Sequence, residues 1–143
     1  MNINAEDLPR YGYCALTADF IHIGHIRFLE SCSRKCERLI VGIMSDESVT
    51  IYKGKTPILD VHERDEIIRS IKFVHMTVIQ NTFEFPDHVF KMKKFWKDNF
   101  IIFDSQEHKR VGADILIDRT DNISSSIYKR IVNESSDYRQ CSL

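Results

Sequence analysis

Two histidines on either side of a glycine are the residues of this chain best suited to chemistry. In residues 19–25, DFIHIGH, an apolar run gives way to a helical pattern. The first N–H groups of a helix lack intrahelical partners and lie at its positive end, so phosphates bind there. Gly24 permits close approach of the backbone. Ring N–H groups of His22 and His25 can then stabilise the negative charge that develops during phosphoryl transfer.

Two other interpretations of this stretch stay open at this point. His22 and His25 could serve as ordinary polar residues that cap a helix, or as half of a zinc site. A zinc site needs further ligands at suitable spacing, and the sequence contains neither a CxxC nor an HExxH pattern. We therefore predict no protein-built metal site.

A second group of candidate residues lies between residues 45 and 60. This segment has few apolar residues, contains Gly54 and Pro57, and is predicted to be a long loop. Lys53 and Lys55 are flexible point charges that could close over a triphosphate. The alternative is a solvated loop whose lysines have no role.

A third group follows the last predicted strand, in residues 118–126, DRTDNISSS. Arg119 offers a planar donor fork that matches phosphate oxygens. Ser124 precedes a helical pattern and is a suitable N-cap, although serines cap helices without any ligand. This segment predicts a second helix N-terminus that is rich in hydrogen-bond donors.

Alternating apolar runs and amphipathic stretches supply the elements that position these residues. Strands are predicted at 13–18, 38–44, 76–79, 100–103 and 113–118, and helices at 25–36, 61–71, 85–97 and 124–133. This order predicts an α/β fold, a single Rossmann-like domain over 11–134 with a five-stranded parallel sheet covered by helices on both faces. Residues 1–10 and 135–143 are predicted tails. The candidate residues then meet at the carboxyl edge of the sheet.

Composition excludes several classes of partner. The chain has 143 residues and a formal net charge of −1, which argues against general binding to nucleic acid or to an anionic membrane surface. No apolar run approaches the roughly 20 residues of a membrane span, and the first ten residues are too polar for a signal peptide. We expect a cytoplasmic protein with reduced cysteines at 14, 32, 36 and 141.

Three motifs in order resemble those of one family. The pattern Thr17-x-Asp19-x-x-His22-x-Gly24-His25 is similar to the HxGH signature of the nucleotidylyltransferase superfamily. The stretch 53–57, KGKTP, followed by Glu63-Arg64, and the stretch 119–126, similar to RTxGIST, match its small cytidylyltransferase branch, which is glycerol-3-phosphate cytidylyltransferase-like. Together the motifs span most of the chain.

The resemblance implies transfer of CMP from CTP to a small phosphorylated alcohol or phosphonate, with release of pyrophosphate. Mg²⁺ would be carried by the nucleotide phosphates, and the enzyme would be a homodimer. The implied catalytic residues are His22, His25, Lys55 and Arg119. The implied nucleotide-binding residues are Leu16, Thr17, Asp19, Gly24, Lys53, Arg64, Asp104, Thr120, Ile123, Ser124 and Ser125.

The chain also departs from the family pattern. Leu16 and Asn122 stand where glycines are usual, Ala18 replaces an aromatic residue, and residues 103–105, FDS, replace a Gly-x-Asp element near the nucleoside. An adenylyltransferase acting on a metabolite phosphate, or a non-catalytic nucleotide-binding module of the same fold, are the alternatives.

Overall fold

Five strands form one parallel sheet in the computed structural model of the chain, which describes residues 7–118. The strands are β1 (Tyr11–Leu16), β2 (Arg38–Met44), β3 (Met76–Gln80), β4 (Phe100–Ser105) and β5 (Ile115–Ile117). The helices are α1 (Ile23–Ser33), α2 (Asp46–Lys53), α3 (Val61–Arg69) and α4 (Asp87–Trp96), followed by a 3-10 turn at Lys97–Asn99. Every strand pair is parallel, and the spatial order is β3-β2-β1-β4-β5. The predicted α/β fold with a five-stranded parallel sheet is confirmed.

Side chains of β1 alternate between two hydrophobic layers, one on each face of the sheet. Cys14 packs in a cluster with Leu29 of α1 and Ile68 of α3. Tyr13 packs in a second cluster that includes Val89 of α4. Because strand side chains alternate in direction, both faces of the sheet are buried against helices, as predicted.

The strand order places a crevice between β1 and β4. The chain moves outward from β1 to β2 and β3, then crosses back through α4 to place β4 on the other side of β1. At such a reversal the loops after the two neighbouring strands diverge, and ligands bind between them. The loop after β1 carries the histidine motif, so the fold places that motif at the crevice.

The prediction of one long loop over residues 45–60 is wrong in its first half. That half is α2, which begins after Ser45 and ends at Lys53. The Ser45 hydroxyl accepts a hydrogen bond from the N–H of Ser48, and Gly54 ends the helix in the left-handed conformation at φ 71°. Few residues of α2 pack against the rest of the protein. Its sequence therefore lacks the apolar periodicity by which a helix is predicted.

Other boundaries differ by a few residues. Strand β1 covers Tyr11–Leu16 rather than 13–18, because Ala18 turns into the left-handed region at φ 63°. Strand β5 is Ile115–Ile117, shorter than predicted. The predicted helix at 124–133 and the predicted tail at 135–143 lie outside the described residues, as do residues 1–6 of the predicted tail at 1–10.

The described cysteines are all unbridged. Cys14, Cys32 and Cys36 are free and buried, and burial raises the pKa of the Cys36 thiol to about 12. With its pKa raised in this way, the Cys36 thiol stays protonated and acts as a small apolar group. Among residues 7–118, no helix is long and apolar enough to cross a bilayer.

We predict that Gly54→Ala lowers the free energy of unfolding by about 1 kcal/mol through backbone strain alone. A Cβ at Gly54 would meet no atom within 4 Å, so sterics contribute nothing. Gly112→Ala is the matched comparison, because it has φ 95° and its Cβ would also lie 2.4 Å from the Phe90 ring. Urea denaturation should therefore show the larger loss for Gly112→Ala. Equal stability of wild type and Gly54→Ala would contradict the left-handed cap.

Candidate functional site

The two histidines cap the N-terminus of α1 reciprocally. Nδ1 of His22 accepts the N–H of Gly24 at 3.0 Å, and Nδ1 of His25 accepts the N–H of His22 at 3.2 Å. A neutral imidazole that accepts at Nδ1 carries its proton on Nε2. Both rings are thereby fixed as Nε2–H donors, with their centroids 4.0 Å apart. The capping interpretation and the chemical one are therefore compatible, because the cap sets the tautomer that the chemistry requires.

A cavity of about 230 Å³ runs from the end of β1 to the loop after β4. A second cavity of about 170 Å³ lies beside it, under the segment that follows α2. Thr17, His25 and Lys53 line both cavities. The first is also lined by Leu16 and Asp104, and the second by Asp19 and Lys55. The structure therefore brings seven of the predicted site residues together.

His22 and Gly24 line neither of these two cavities, whereas His25 lines both. Nε2 of His22 is buried, and Gly24 is a buried residue of the first turn of α1. The N–H of Gly24 donates to His22, so this glycine supports the histidine cap.

Asp19 fixes the segment that carries Lys55. Its two carboxylate oxygens accept the N–H groups of Ile58 and Leu59 at 3.0 and 2.9 Å. Asp60, which follows Leu59, is the N-cap of α3. Its carboxylate accepts the N–H of Glu63, and this bond lowers the pKa of the carboxyl. Asp19 thus ties the histidine loop to the start of α3, with Lys55 between them in the second cavity.

Arg64 is a buried residue that connects the elements around the site. This placement corrects its expected role as a nucleotide ligand. Its side chain is fully buried, and Nη1 donates to the carbonyls of Thr17 and Met44, both at 2.6 Å. Nε donates to the carbonyl of Leu59, and Nη2 pairs with Asp46 at 2.6 Å. A guanidinium bonded to these groups positions the ends of β1 and β2 and the start of α2 instead of reaching a ligand.

Lys53 lies at the end of α2 rather than on a loop. The preceding residue, Tyr52, stacks on Phe83 with ring centroids 4.0 Å apart, and its hydroxyl lies 3.3 Å from Nδ1 of His108. These contacts fix the last turn of α2 against the loops after β3 and β4. Lys53 is thereby held beside both cavities.

Arg110 is a residue of the site that sequence reasoning missed. It forms a buried ion pair with Asp104, in which both side chains are 2% exposed and Nη1 lies 2.7 Å from Oδ1. The two oxygens of Asp104 also accept the N–H groups of Ser105 and Arg110. No local pattern signals such a pair, because it forms only when the loop after β4 folds back on itself.

Ala18 adopts a backbone conformation that few residues with a side chain adopt. It is buried and has φ 63°, directly before Asp19. Left-handed non-glycine residues store about 1–3 kcal/mol of strain and occur often at functional sites. This strained turn sends the chain from β1 into the histidine loop.

The remaining predicted site residues lie outside residues 7–118. They are Arg119, Thr120, Ile123, Ser124 and Ser125. Across 7–118, no group of three or more His, Cys, Asp or Glu side chains is arranged to hold a metal ion.

Comparison with known proteins identifies the family. The cytidylyltransferase-like family model matches residues 17–117. Bifunctional protein HldE of Nitrobacter hamburgensis is 38% identical over 71 residues, which cover 49% of this chain and 14% of HldE. FAD synthase of Pyrococcus abyssi is 39% identical over 61 residues, covering 43% of this chain and 41% of the synthase. The chain thus spans less than half the length of these curated relatives.

A solved structure shows the same fold. The lipopolysaccharide core biosynthesis protein of Thermoplasma volcanium superposes with a TM-score of 0.57 at 20% identity, over 87% of this chain and 86% of that protein. The family match covers the histidine motif, the second cavity, every strand after β1, and all of the first cavity's lining except Ala15 and Leu16. The chain therefore belongs to the cytidylyltransferase-like family of the nucleotidylyltransferase superfamily.

Proposed function

We propose that the protein is a cytidylyltransferase that transfers CMP from CTP to a small phosphorylated alcohol or phosphonate and releases pyrophosphate. The observation that carries this proposal is the reciprocal histidine cap at a helix N-terminus, in which His25 lines a crevice that Lys53 and Lys55 also line. Such an arrangement suits the α-phosphate of a nucleotide, whose charge grows in the transition state.

The reaction needs positioning and charge stabilisation more than proton transfer. An anionic acceptor oxygen forms a bond to the α-phosphorus, and the bond from that phosphorus to the bridging oxygen of pyrophosphate breaks. The acceptor arrives deprotonated, so no general base is required. His22 and His25 stabilise the five-coordinate phosphorus, while Lys53 and Lys55 hold phosphates from the side of α2. Arg119, Thr120 and Ser124 would hold the leaving pyrophosphate, as the family resemblance implies.

Magnesium is proposed to enter with the triphosphate. Mg²⁺ keeps several waters and binds nucleotide phosphates readily, so it needs no cage of protein ligands. The crevice supplies lysines and ring N–H groups, which suit phosphate oxygens better than a bare cation. When bound, the ion would neutralise part of the phosphate charge.

An adenylyltransferase is the second candidate function. One similar protein is named FAD synthase, and its named product contains an adenylyl group. The same histidine site would serve either nucleotide, because it faces the phosphate and not the base. A nucleotide-binding module without turnover is the third possibility. The proposed homodimer and the proposed closure of Lys55 over the substrate stay predictions.

We predict that CTP with Mg²⁺ raises the melting temperature more than ATP, GTP or UTP does, because a ligand stabilises the native state in proportion to its affinity. Differential scanning fluorimetry at matched concentrations measures this. Pyrophosphate release with phosphorylated alcohols and phosphonates then separates an enzyme from a binding module. A larger shift with ATP would replace the cytidylyl assignment with the adenylyl one.

Substitutions that preserve the helix cap separate chemistry from structure at the histidines. Asn is a good N-cap residue and Gln fits the third position of a capping box, so His22→Asn and His25→Gln should keep the melting temperature. Each should nevertheless lose about 10²-fold or more in turnover, because an amide whose oxygen accepts the cap bond no longer directs an N–H to the position of the ring Nε2–H. His22→Ala and His25→Ala are the controls that remove both cap and donor. Near wild-type turnover in either cap-preserving variant would remove that histidine from the mechanism.

A further inference from the structure

Two kinds of side chain line the second cavity. Lys53, Lys55 and the ring of His25 supply positive charge and N–H donors. Phe20 and Ile58 line the same cavity, although the first is 42% and the second 71% exposed. Large apolar side chains beside a cavity are removed from water when an apolar group binds against them. The lining therefore suits a ligand that has an anionic end and an apolar end.

Asp19 holds the two apolar side chains beside the same cavity. It precedes Phe20 in the chain, and its carboxylate oxygens accept the N–H groups of Ile58 and Leu59 at 3.0 and 2.9 Å. The backbone segments that carry Phe20 and Ile58 are therefore joined before a ligand binds. A site that is already formed loses less conformational entropy on binding.

The polar groups of this cavity suit a phosphate better than the hydroxyls of a polyol. A ligand hydroxyl needs an acceptor for its proton, and a lysine ammonium group only donates. Both oxygens of Asp19 already accept backbone N–H groups, and the hydroxyl of Thr17 donates to Sδ of Met44 at 3.7 Å. Thr56 contributes one further hydroxyl. A polyol chain would therefore lose much of its hydration here without replacement, at a cost that an apolar chain does not have.

The residues shared by the two cavities indicate which substrate the second cavity receives. His25 lines both cavities, together with Thr17 and Lys53. The two substrates of a transfer meet at one phosphorus, so each extends from the shared residues into its own cavity. Asp104, a candidate nucleotide-binding residue, lines the first cavity, and Lys55 lines the second. The second cavity is therefore the place for the acceptor.

We propose that the acceptor is a phosphate monoester of an apolar alcohol, and that Phe20 and Ile58 determine this specificity. The inference rests on the proposed function. Lys53 and Lys55 bind the phosphate, while the apolar group packs against Phe20 and Ile58. The acceptor thus differs from the glycerol phosphate that the motif resemblance implies.

n-Butyl phosphate and glycerol 3-phosphate are matched probes, because they carry the same phosphate on organic groups of similar size. Isothermal titration calorimetry of the full chain without nucleotide measures both, with methyl phosphate as the reference. n-Butyl phosphate should bind about tenfold more tightly than methyl phosphate, since each of its added methylenes, partly buried, contributes about a factor of two. Glycerol 3-phosphate should bind no more tightly than methyl phosphate.

Substitutions on the exposed apolar side chains locate the preference. Ile58→Ser and Phe20→Ser should each lower the affinity for n-butyl phosphate about threefold or more, and leave that for methyl phosphate unchanged. Ile51→Ser is the matched control, because Ile51 is 78% exposed and lines neither of these two cavities. Lys55→Gln should weaken all three phosphates by the same factor, which places the phosphate end in the second cavity.

Dodecyl phosphate in phosphatidylcholine vesicles presents the same chemistry at a membrane. Sedimentation of the wild-type chain with these vesicles, and its loss in Ile58→Ser, would identify a lipid as the source of the acceptor. Binding of n-butyl phosphate without such sedimentation would identify a soluble ester.

Equal affinities for n-butyl phosphate and glycerol 3-phosphate, no saturable binding of any of the three, or equal losses in Ile58→Ser and Ile51→Ser would each overturn the proposal. Failure of the proposed function gives a different result. No triphosphate then raises the melting temperature or releases pyrophosphate, while the preference for n-butyl phosphate over glycerol 3-phosphate is retained.

Discussion

One buried guanidinium joins the parts of the chain on which the site depends. Arg64, on α3, binds the last carbonyl of β2 and the carbonyl of Thr17 just after β1, and it pairs with Asp46 at the start of α2. Carbonyls at strand ends lie beyond the sheet ladder and need a donor if they are buried. A buried carbonyl left without a donor costs about 1–3 kcal/mol, so the two bonds from Arg64 stabilise both strand ends. The site is therefore built around one side chain that hydrogen-bonds backbone carbonyls at two strand ends.

The histidine cap, like Arg64, uses side chains to satisfy backbone groups, here beside the crevice. Nδ1 of His22 and Nδ1 of His25 accept N–H groups at the start of α1. The same two bonds fix the tautomer of each ring. The same two side chains thus meet a structural requirement of the helix and a chemical requirement of the proposed reaction. Asp19 then connects this loop to the segment carrying Lys55 through two backbone bonds. Candidate binding groups on two separate stretches of the chain, the histidine loop and the segment carrying Lys55, are thus held in fixed relation.

The sequence was sufficient to predict the structural elements that depend on patterns of residues close together in the chain. Apolar runs and helical spacing predicted the five strands, and the motif containing His25 predicted its place at the carboxyl edge of the sheet. Helix α2 was missed because only Ser48 and Val49 of its eight residues are buried, so its signals were limited to its caps. Arg64 and Arg110 were misjudged or missed because their partners lie far along the chain. Phe83, for example, is 27 residues from Arg110.

Transfer of an isotopic label tests the central claim, nucleotidylyl transfer, most directly. The protein is incubated with Mg²⁺, a mixture of phosphate monoesters and phosphonates, and each of the four nucleoside triphosphates labelled with ³²P at the α or the γ position. The account predicts that α-label from CTP enters a product that resists phosphatase, while γ-label leaves as pyrophosphate. Retention of the α-label in the triphosphate with every nucleotide, or release of the γ-label as orthophosphate, would contradict it.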